Sequence, residues 1–225
     1  MKHINKYISE RLHINKNISN HYNYHPKDKD ELKELVRKLI KNRGNKANLN
    51  DIDTSEINDM SKLFYESKFN GDISEWDVSK VEDMNYMFYH SKFNGDISNW
   101  NVRNVKNMEA MFCESEFNQD ISNWTVRNVE NMILMFSDSE SNGDISNWDV
   151  SNVKDMNCMF DNSKFDGDIS NWDVSNVENM DSMFYYSQFT CENGDISKWD
   201  VSNVTDIRHM FDKSPVEKNP PKWYK

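Results

Sequence analysis

The chain has 225 residues, a formal net charge of −11 at pH 7 and three cysteines, with a mean hydropathy of −0.92. No stretch approaches the length of a membrane span, and three cysteines cannot all pair within one chain, so a disulfide framework is not expected. Charge is unevenly divided: residues 1–48 carry 12 Lys and Arg against 5 Asp and Glu, and residues 49–225 carry 15 against 33. Such an acidic body repels phosphate backbones, which excludes nucleic acid as its partner.

Residues 1–25 read as a tail or short helix, with Ile4, Ile8 and Leu12 on a weak stripe and Tyr7 alongside. No run of about 7–15 apolar residues follows Lys2, so no secretory signal peptide is predicted. His21–Tyr22–Asn23–Tyr24–His25 reads as a linker. His21 and His25 would face one another only in a helix, which Pro26 opposes, so a metal site there is not expected. Residues 26–48 hold a capping helix and a linker. Leu32, Leu35, Val36, Leu39 and Ile40 form an i, i+3, i+4, i+7, i+8 stripe over residues 31–41. Pro26 with Asp28 or Asp30 marks its start and Gly44 its end. The helix is expected to lie as a lid over the exposed edge of the repeat unit that begins at residue 49.

From residue 49 the sequence repeats. Trp76, Trp100, Trp124, Trp148 and Trp172 are each 24 residues apart; Trp199 follows after 27 and Trp223 after a further 24. Cutting at the isoleucine before each tryptophan gives seven units over 49–219: 49–72, 73–96, 97–120, 121–144, 145–168, 169–195 and 196–219. Residues 220–225 remain as a C-terminal cap. A period of this length marks units that stack on their neighbours. In unit five, Val153, Met156, Met159 and Phe160 fall at i, i+3, i+6 and i+7 and predict a helix of two turns. Phe165 to Ser170 alternates and predicts a short strand. Between them, Ser79 with Glu82 and Ser175 with Glu178 match a helix capping box, and Asn101 and Thr125 can cap where Arg103 and Arg127 replace the serine. The end units depart from the pattern, with Ile52 in the tryptophan column and Ile207 in a methionine column. Inside, Ser141 replaces a phenylalanine and Thr190–Cys191–Glu192 is inserted.

The motif F-N-G-D-I-S-x-W-D-V-S-N-V-x-x-M-x-x-M-F resembles the BspA-like leucine-rich-repeat surface proteins, and within them the Mycoplasma lipoprotein-associated repeat. The resemblance covers residues 49–225. It implies an α/β repeat solenoid of leucine-rich-repeat type, with a parallel sheet on one face and short helices on the other. Members of that group are often surface-exposed and many are called adhesins; most have no assigned activity.

Chemistry is scarce. There is no phosphate-binding loop, dinucleotide fingerprint, zinc-protease helix or nucleophile elbow. Cys113, Cys158 and Cys191 occupy different columns of the repeat, and His90 and His209 have no repeated partner. Asp72, Asp96, Asp120, Asp144, Asp168 and Asp195 share one column, and stacked carboxylates repel. Two remedies are open: each accepts hydrogen bonds from backbone amides, or the row holds calcium. The serine column (Ser67, Ser91, Ser115, Ser139, Ser163, Ser187, Ser214) and the asparagines before the tryptophans (Asn99, Asn123, Asn147, Asn171) read as structural ladders.

Recurring residues serve stacking first, so recognition is expected at variable positions. The candidate partner surface is Tyr65, Tyr86, Tyr89, Ile133, Leu134, Tyr185 and Tyr186, since tyrosine combines contact area with a polar tip. The sequence thus predicts a monomeric, non-catalytic scaffold that needs no cofactor or metal and binds another protein. The alternatives are a surface-exposed adhesin or virion-associated binding protein, a calcium-binding solenoid, and a polymer-acting hydrolase. The absence of an export signal leaves a cytoplasmic location or exposure by a non-classical route.

Overall fold

In a computed structural model, residues 22–224 are described. Among the described residues the one long helix, α1, spans Lys29–Arg43, two residues beyond the predicted stripe at each end. The Asp28 carboxylate accepts the Glu31 N–H at 2.9 Å, which satisfies one of the orphan donors of the first turn. Gly44, at φ 88°, ends the helix and returns its N–H to the Ile40 carbonyl. Leu32, Val36 and Leu39 are buried. Arg43 clasps Asp51 with two hydrogen bonds of 2.9 Å, and Lys29 meets Asp59 at 3.1 Å and the Ser61 hydroxyl. The helix is thereby pinned on the first repeat.

The repeats themselves are neither helix nor sheet, which overturns the expected α/β solenoid of leucine-rich-repeat type. Among the described residues, helix accounts for 11% and strand for 5% with no sheet, too little to build either layer. What strand character exists is a series of isolated parallel bridges, one per junction along Asp59–Asp83–Asn107–Asn131–Asp155–Asn179–Asp206, with two more, Tyr24–Ile52 and Asn48–Asp72, at the N-terminal end. Each unit is instead one coil assembled from four-residue turns. In the fifth coil these are Ile145–Trp148, Val150–Val153, Met156–Met159 and Phe160–Ser163, each closed by the N–H of its fourth residue on the carbonyl of its first at 3.1, 2.9, 3.1 and 3.3 Å. In this coil the first and fourth residues are buried and the central pair is half-buried or exposed; elsewhere a few small central residues, such as Ser61, Ala110, Cys113 and Ser137, are buried as well.

This geometry explains why the pattern imitates a helix. Two consecutive four-residue turns bury positions i, i+3, i+4 and i+7, as an amphipathic helix does. A helix is ruled out by the backbone: the third residue of both methionine and phenylalanine turns has positive φ, 47–59° from Lys62 to Lys213. All fourteen of these turn positions hold the left-handed conformation, as does Cys191 in the insertion, and none is glycine or β-branched; a bulky branched side chain would be a genuine outlier there. The supposed capping boxes are likewise turns. Asp77, ahead of Ser79, accepts the Ser79 N–H at 2.9 Å, and Asp173 accepts that of Ser175 at 3.1 Å.

Hydrogen bonds leave the coil in one direction along these turns. Met84, Tyr86, Phe88 and His90 donate to the carbonyls of Asn107, Glu109, Met111 and Cys113 in the next coil, and the same four bonds recur at all six junctions with lengths of 2.7–3.0 Å. The segment predicted as a strand uses side chains for this purpose. The N–H groups of Asn94, Asn118, Asn142 and Asp166 donate to the side-chain carbonyls of Asn70, Asn94, Asn118 and Asn142, one coil back. Only at the first junction do backbone groups pair in this segment, Asn70 and Asp72 donating to Asn45 and Ala47, and the run is too short to form a sheet.

The core is a set of aligned columns. Phe64, Phe88, Phe112, Phe136, Phe160, Phe184 and Phe211 stack in an unbroken row with centroids 5.5–5.8 Å apart. All seven tryptophans share a second column, each indole donating to a carbonyl of the preceding coil at 3.0–3.3 Å. A third row, Phe69–Phe93–Phe117 and then Phe165–Phe189, is interrupted by Ser141, which is buried all the same. A Cβ placed on Gly95 or Gly167 would meet the neighbouring phenylalanine ring at 2.8 Å, whereas at Gly143 the nearest atom is 3.8 Å away. The ring that fills this space elsewhere is missing there.

Candidate interaction face

Every position of the predicted partner surface lies at the outward centre of a turn. Ile133 and Leu134 are the central pair of the methionine turn in the fourth coil. Tyr86 is the third residue of that turn in the second coil, and Tyr65, Tyr89, Tyr185 and Tyr186 sit at the centre of the phenylalanine turns. The four central columns lie side by side along one face of the stack, because successive coils are bonded through these turns.

The face gathers some of the candidates and separates others. Tyr65 and Tyr89 stack with centroids 4.9 Å apart, and Tyr86 lies 5.6 Å from Tyr89. The Tyr86 hydroxyl donates to Glu109 at 2.9 Å, that of Tyr89 to Glu114 at 2.6 Å, and the other Glu114 oxygen meets His90 Nδ1 at 3.0 Å. Burial and the Glu109 hydrogen bond push the Tyr86 phenol up to about 12, and the bond to Glu114 followed by burial raises that of Tyr89. These phenols stay protonated at physiological pH and act as hydrogen-bond donors. Tyr185 and Tyr186 form a separate pair at the far end, where the Lys213 ammonium donates to the Tyr185 hydroxyl at 2.7 Å and lies 5.6 Å from the Tyr186 ring centre. Ile133 and Leu134 are half-buried between the two groups.

Sequence reasoning missed the charged members of the face. Lys62 stands 5.2 Å from the centre of the Tyr86 ring. Asp161 is half-buried, and burial followed by the Asp138 charge pushes its carboxyl up to about 6. The signal was present, since Lys62, Glu109, Glu114, Asp138, Asp161 and Lys213 occupy the same variable columns as the tyrosines. Nothing in a helical reading grouped them.

The aspartate column is structural. Asp72, Asp96, Asp120, Asp144, Asp168 and Asp195 each accept the N–H of the serine two residues on, at 2.8–3.0 Å. These backbone bonds, with the serine hydroxyls, hold the carboxyls of Asp96, Asp120, Asp144 and Asp195 below the usual range. Among the described residues no group of three or more His, Cys, Asp or Glu could hold a metal ion. His25 pairs with Asp53 at 3.1 Å, and His21 lies outside the described residues. The three cysteines are free; burial pushes the Cys113 thiol up to about 12 and those of Cys158 and Cys191 to about 11, which keeps them poor nucleophiles. The serine column closes the fourth side of the coil, Ser91, Ser115 and Ser163 accepting from the phenylalanine N–H two residues on.

Two consecutive matches to the family described as "Mycoplasma protein of unknown function, DUF285" span residues 31–143 and 139–223. The chain belongs to DUF285. Comparison with curated proteins and with solved structures finds no match. The matches to DUF285 begin within α1 and run through Trp223, taking in the whole stack of coils and the face described above. Among the described residues of this DUF285 chain, no helix is long and apolar enough to cross a membrane.

Proposed function

We propose that this DUF285 chain is a non-catalytic scaffold that binds another protein through the face formed by the turn centres. The observation that carries the reading is the division of labour within each turn. The recurring residues are consumed by core columns, side-chain-capped turns and inter-coil bonds. The variable ones are set outward in adjacent columns, with Tyr65 and Tyr186 exposed by 41% and 57%. Exposed aromatics on a rigid, pre-ordered backbone fit a recognition surface, because little side-chain or loop freedom is lost on binding. The BspA-like resemblance supports the more specific version, in which the partner is met at a cell or particle surface.

A photo-crosslinking residue at Tyr186 or Ile133, compared with one at Ser98 in the tryptophan turn, tests this in extracts of the source organism. Discrete adducts from the first two sites and none from Ser98 are expected. Equal labelling from all three, or none from any, would refute the assignment of the face.

A further inference from the structure

We infer that the partner presented to this face is a lysine-bearing segment, whose ammonium groups sit over the tyrosine rings between flanking carboxylates. The inference rests on the face assignment above and adds the chemistry of the occupant. Its first support is the charge of the four central columns. From Asn85 to Tyr186 they contain Glu109, Glu114, Asp138, Asp161 and Asp181, and no Lys or Arg. The second is independent of that count. The chain's own lysines in these columns stand at the two ends, and each lies against a tyrosine: Lys62 is 5.2 Å from the Tyr86 ring centre, and Lys213 is 5.6 Å from that of Tyr186 while its ammonium donates to the Tyr185 hydroxyl at 2.7 Å. The face thus already holds an ammonium against tyrosine at both limits, by ring contact at Tyr86 and by a ring contact plus a hydroxyl hydrogen bond at Tyr186 and Tyr185, and leaves the interval between them acidic.

The geometry admits further cations. The stacked Tyr65–Tyr89 pair lies beside Glu114, and Tyr186 borders an open groove lined with Asp138, Asn162, Gln188 and Lys164, whose ammonium is already paired with Glu140. A cation over an aromatic face is attracted by the ring quadrupole, and adjacent carboxylates add a long-range pull that salt weakens. The low flexibility of the turn backbone suits an extended peptide laid along the columns better than a compact anion-bearing partner, which the five carboxylates repel.

The test is calorimetric titration of the full chain with a peptide of alternating lysine and alanine, and with the same peptide carrying trimethyl-lysine. Ring contact survives trimethylation, whereas a hydrogen-bonded ion pair does not. Both peptides should bind, with affinity falling as salt rises. Glu109→Gln with Glu114→Gln should weaken binding about tenfold while keeping the tyrosine hydrogen bonds, as two charges at about 0.7 kcal/mol each would give. Tyr65→Leu, which changes no charge, should weaken it about threefold. Glu178→Gln with Glu192→Gln removes the same charge away from the face and should change little. Equal losses from the two glutamate pairs, or loss of binding on trimethylation, would overturn the inference, as would no binding at all. If crosslinking still captures a partner at Tyr186 while the lysine peptide fails, the face stands and only its proposed occupant falls.

Discussion

Phe112 opens a turn of the third coil and Tyr186 lies at the centre of the equivalent turn in the sixth, yet Phe112 has no exposed surface and Tyr186 is 57% exposed. Two positions along the same small turn separate residues under opposite demands. The inward ends are stacked on identical residues above and below, so their size is dictated by both neighbours. The outward centres are constrained mainly through the backbone: the third residue must tolerate positive φ, and beyond that its identity is free to differ in every coil. A repeat protein can therefore vary its surface without disturbing its core when the two are kept at fixed places within one turn.

The largest effect that would sharpen this contrast comes from truncating an inward residue. Phe112→Ala should cost about 3–5 kcal/mol in denaturant unfolding, because the ring stacks on both Phe88 and Phe136. Tyr186→Ala should stay within about 0.5 kcal/mol. Comparable losses from the two would break the comparison.

Next is the one interior coil whose third phenylalanine column is empty. Ser141→Phe should gain up to about 3 kcal/mol, the value of a well-packed ring over a small side chain. Gly143 retains the clearance that Gly95 and Gly167 give up to the neighbouring ring. A loss of stability on the same measurement would show that the coil has closed around the serine.

A smaller effect distinguishes carboxylates of the face from those of the turn shoulders by pH. The Asp161 carboxyl, pushed up to about 6 by burial and by Asp138, is raised above its unfolded value. Its ionisation therefore costs stability as pH rises through the interval from the unfolded to the folded value. Asp161→Asn should gain about 1 kcal/mol at neutral pH after allowance for its half-exposed position, and none at a pH below both values. The depressed carboxyls of Asp96, Asp120, Asp144 and Asp195 act in the opposite sense. Their contribution is present above the unfolded value and is lost as acid protonates them. Thermal melts of wild type and variant from neutral to acid pH should converge. Curves that stay parallel would reject the Asp161 assignment.

The smallest effect concerns the strained centres. Glu66 is exposed at φ 52°, so Glu66→Gly should gain about 0.5–1 kcal/mol by relieving the left-handed penalty, part of which is offset by the freer unfolded chain. Glu66→Val should lose more than about 1 kcal/mol. The reverse order in a urea titration would show that these positions are not conformationally selected.

Much of this organisation was legible in the sequence and some was not. The tryptophan spacing gave the unit length and the aligned columns, and the Leu32–Val36–Leu39 stripe located α1. The secondary structure inside the unit was misread because tandem four-residue turns bury the same positions as a helix does. The positive φ at Tyr86, Leu134 or Cys158 carries no glycine to announce it. Inter-coil bonding imposes that conformation, and single-residue propensity is silent about it. The strand reading failed for a related reason. Phe165 to Ser170 does alternate, but the N–H of Asp166 is taken by the Asn142 side chain, so the alternation never becomes a sheet. For the face, the tyrosines were found because they were unrepeated. Their grouping with Glu109, Glu114 and Lys62 depended on knowing that residues i+1 and i+2 of each turn point the same way.

At each junction the forward bonds of these turns outnumber the backbone bonds that run the other way, such as Lys106 N–H to Glu82 and Glu116 N–H to Ser91, and leave the stack a net electrical polarity. Peptide dipoles aligned head to tail leave partial charges where the series stops. Among the described residues no coil follows the seventh, so its equivalent N–H groups, from Ile207 to Lys213, form a partially positive edge, and the Glu217 carboxylate accepts the Lys213 N–H there at 2.9 Å. The first coil has no predecessor to donate to the carbonyls of Asp59, Ser61, Leu63 and Tyr65. The ammonium of Lys29, between the side chains of Asp59 and Ser61, stands at that partially negative terminus. An acid at the end and a base at the start reverse the arrangement that suits an α-helix, because here the amides point toward the C-terminal coil. Each added repeat lengthens this dipole, while only the two terminal coils need charges to balance it.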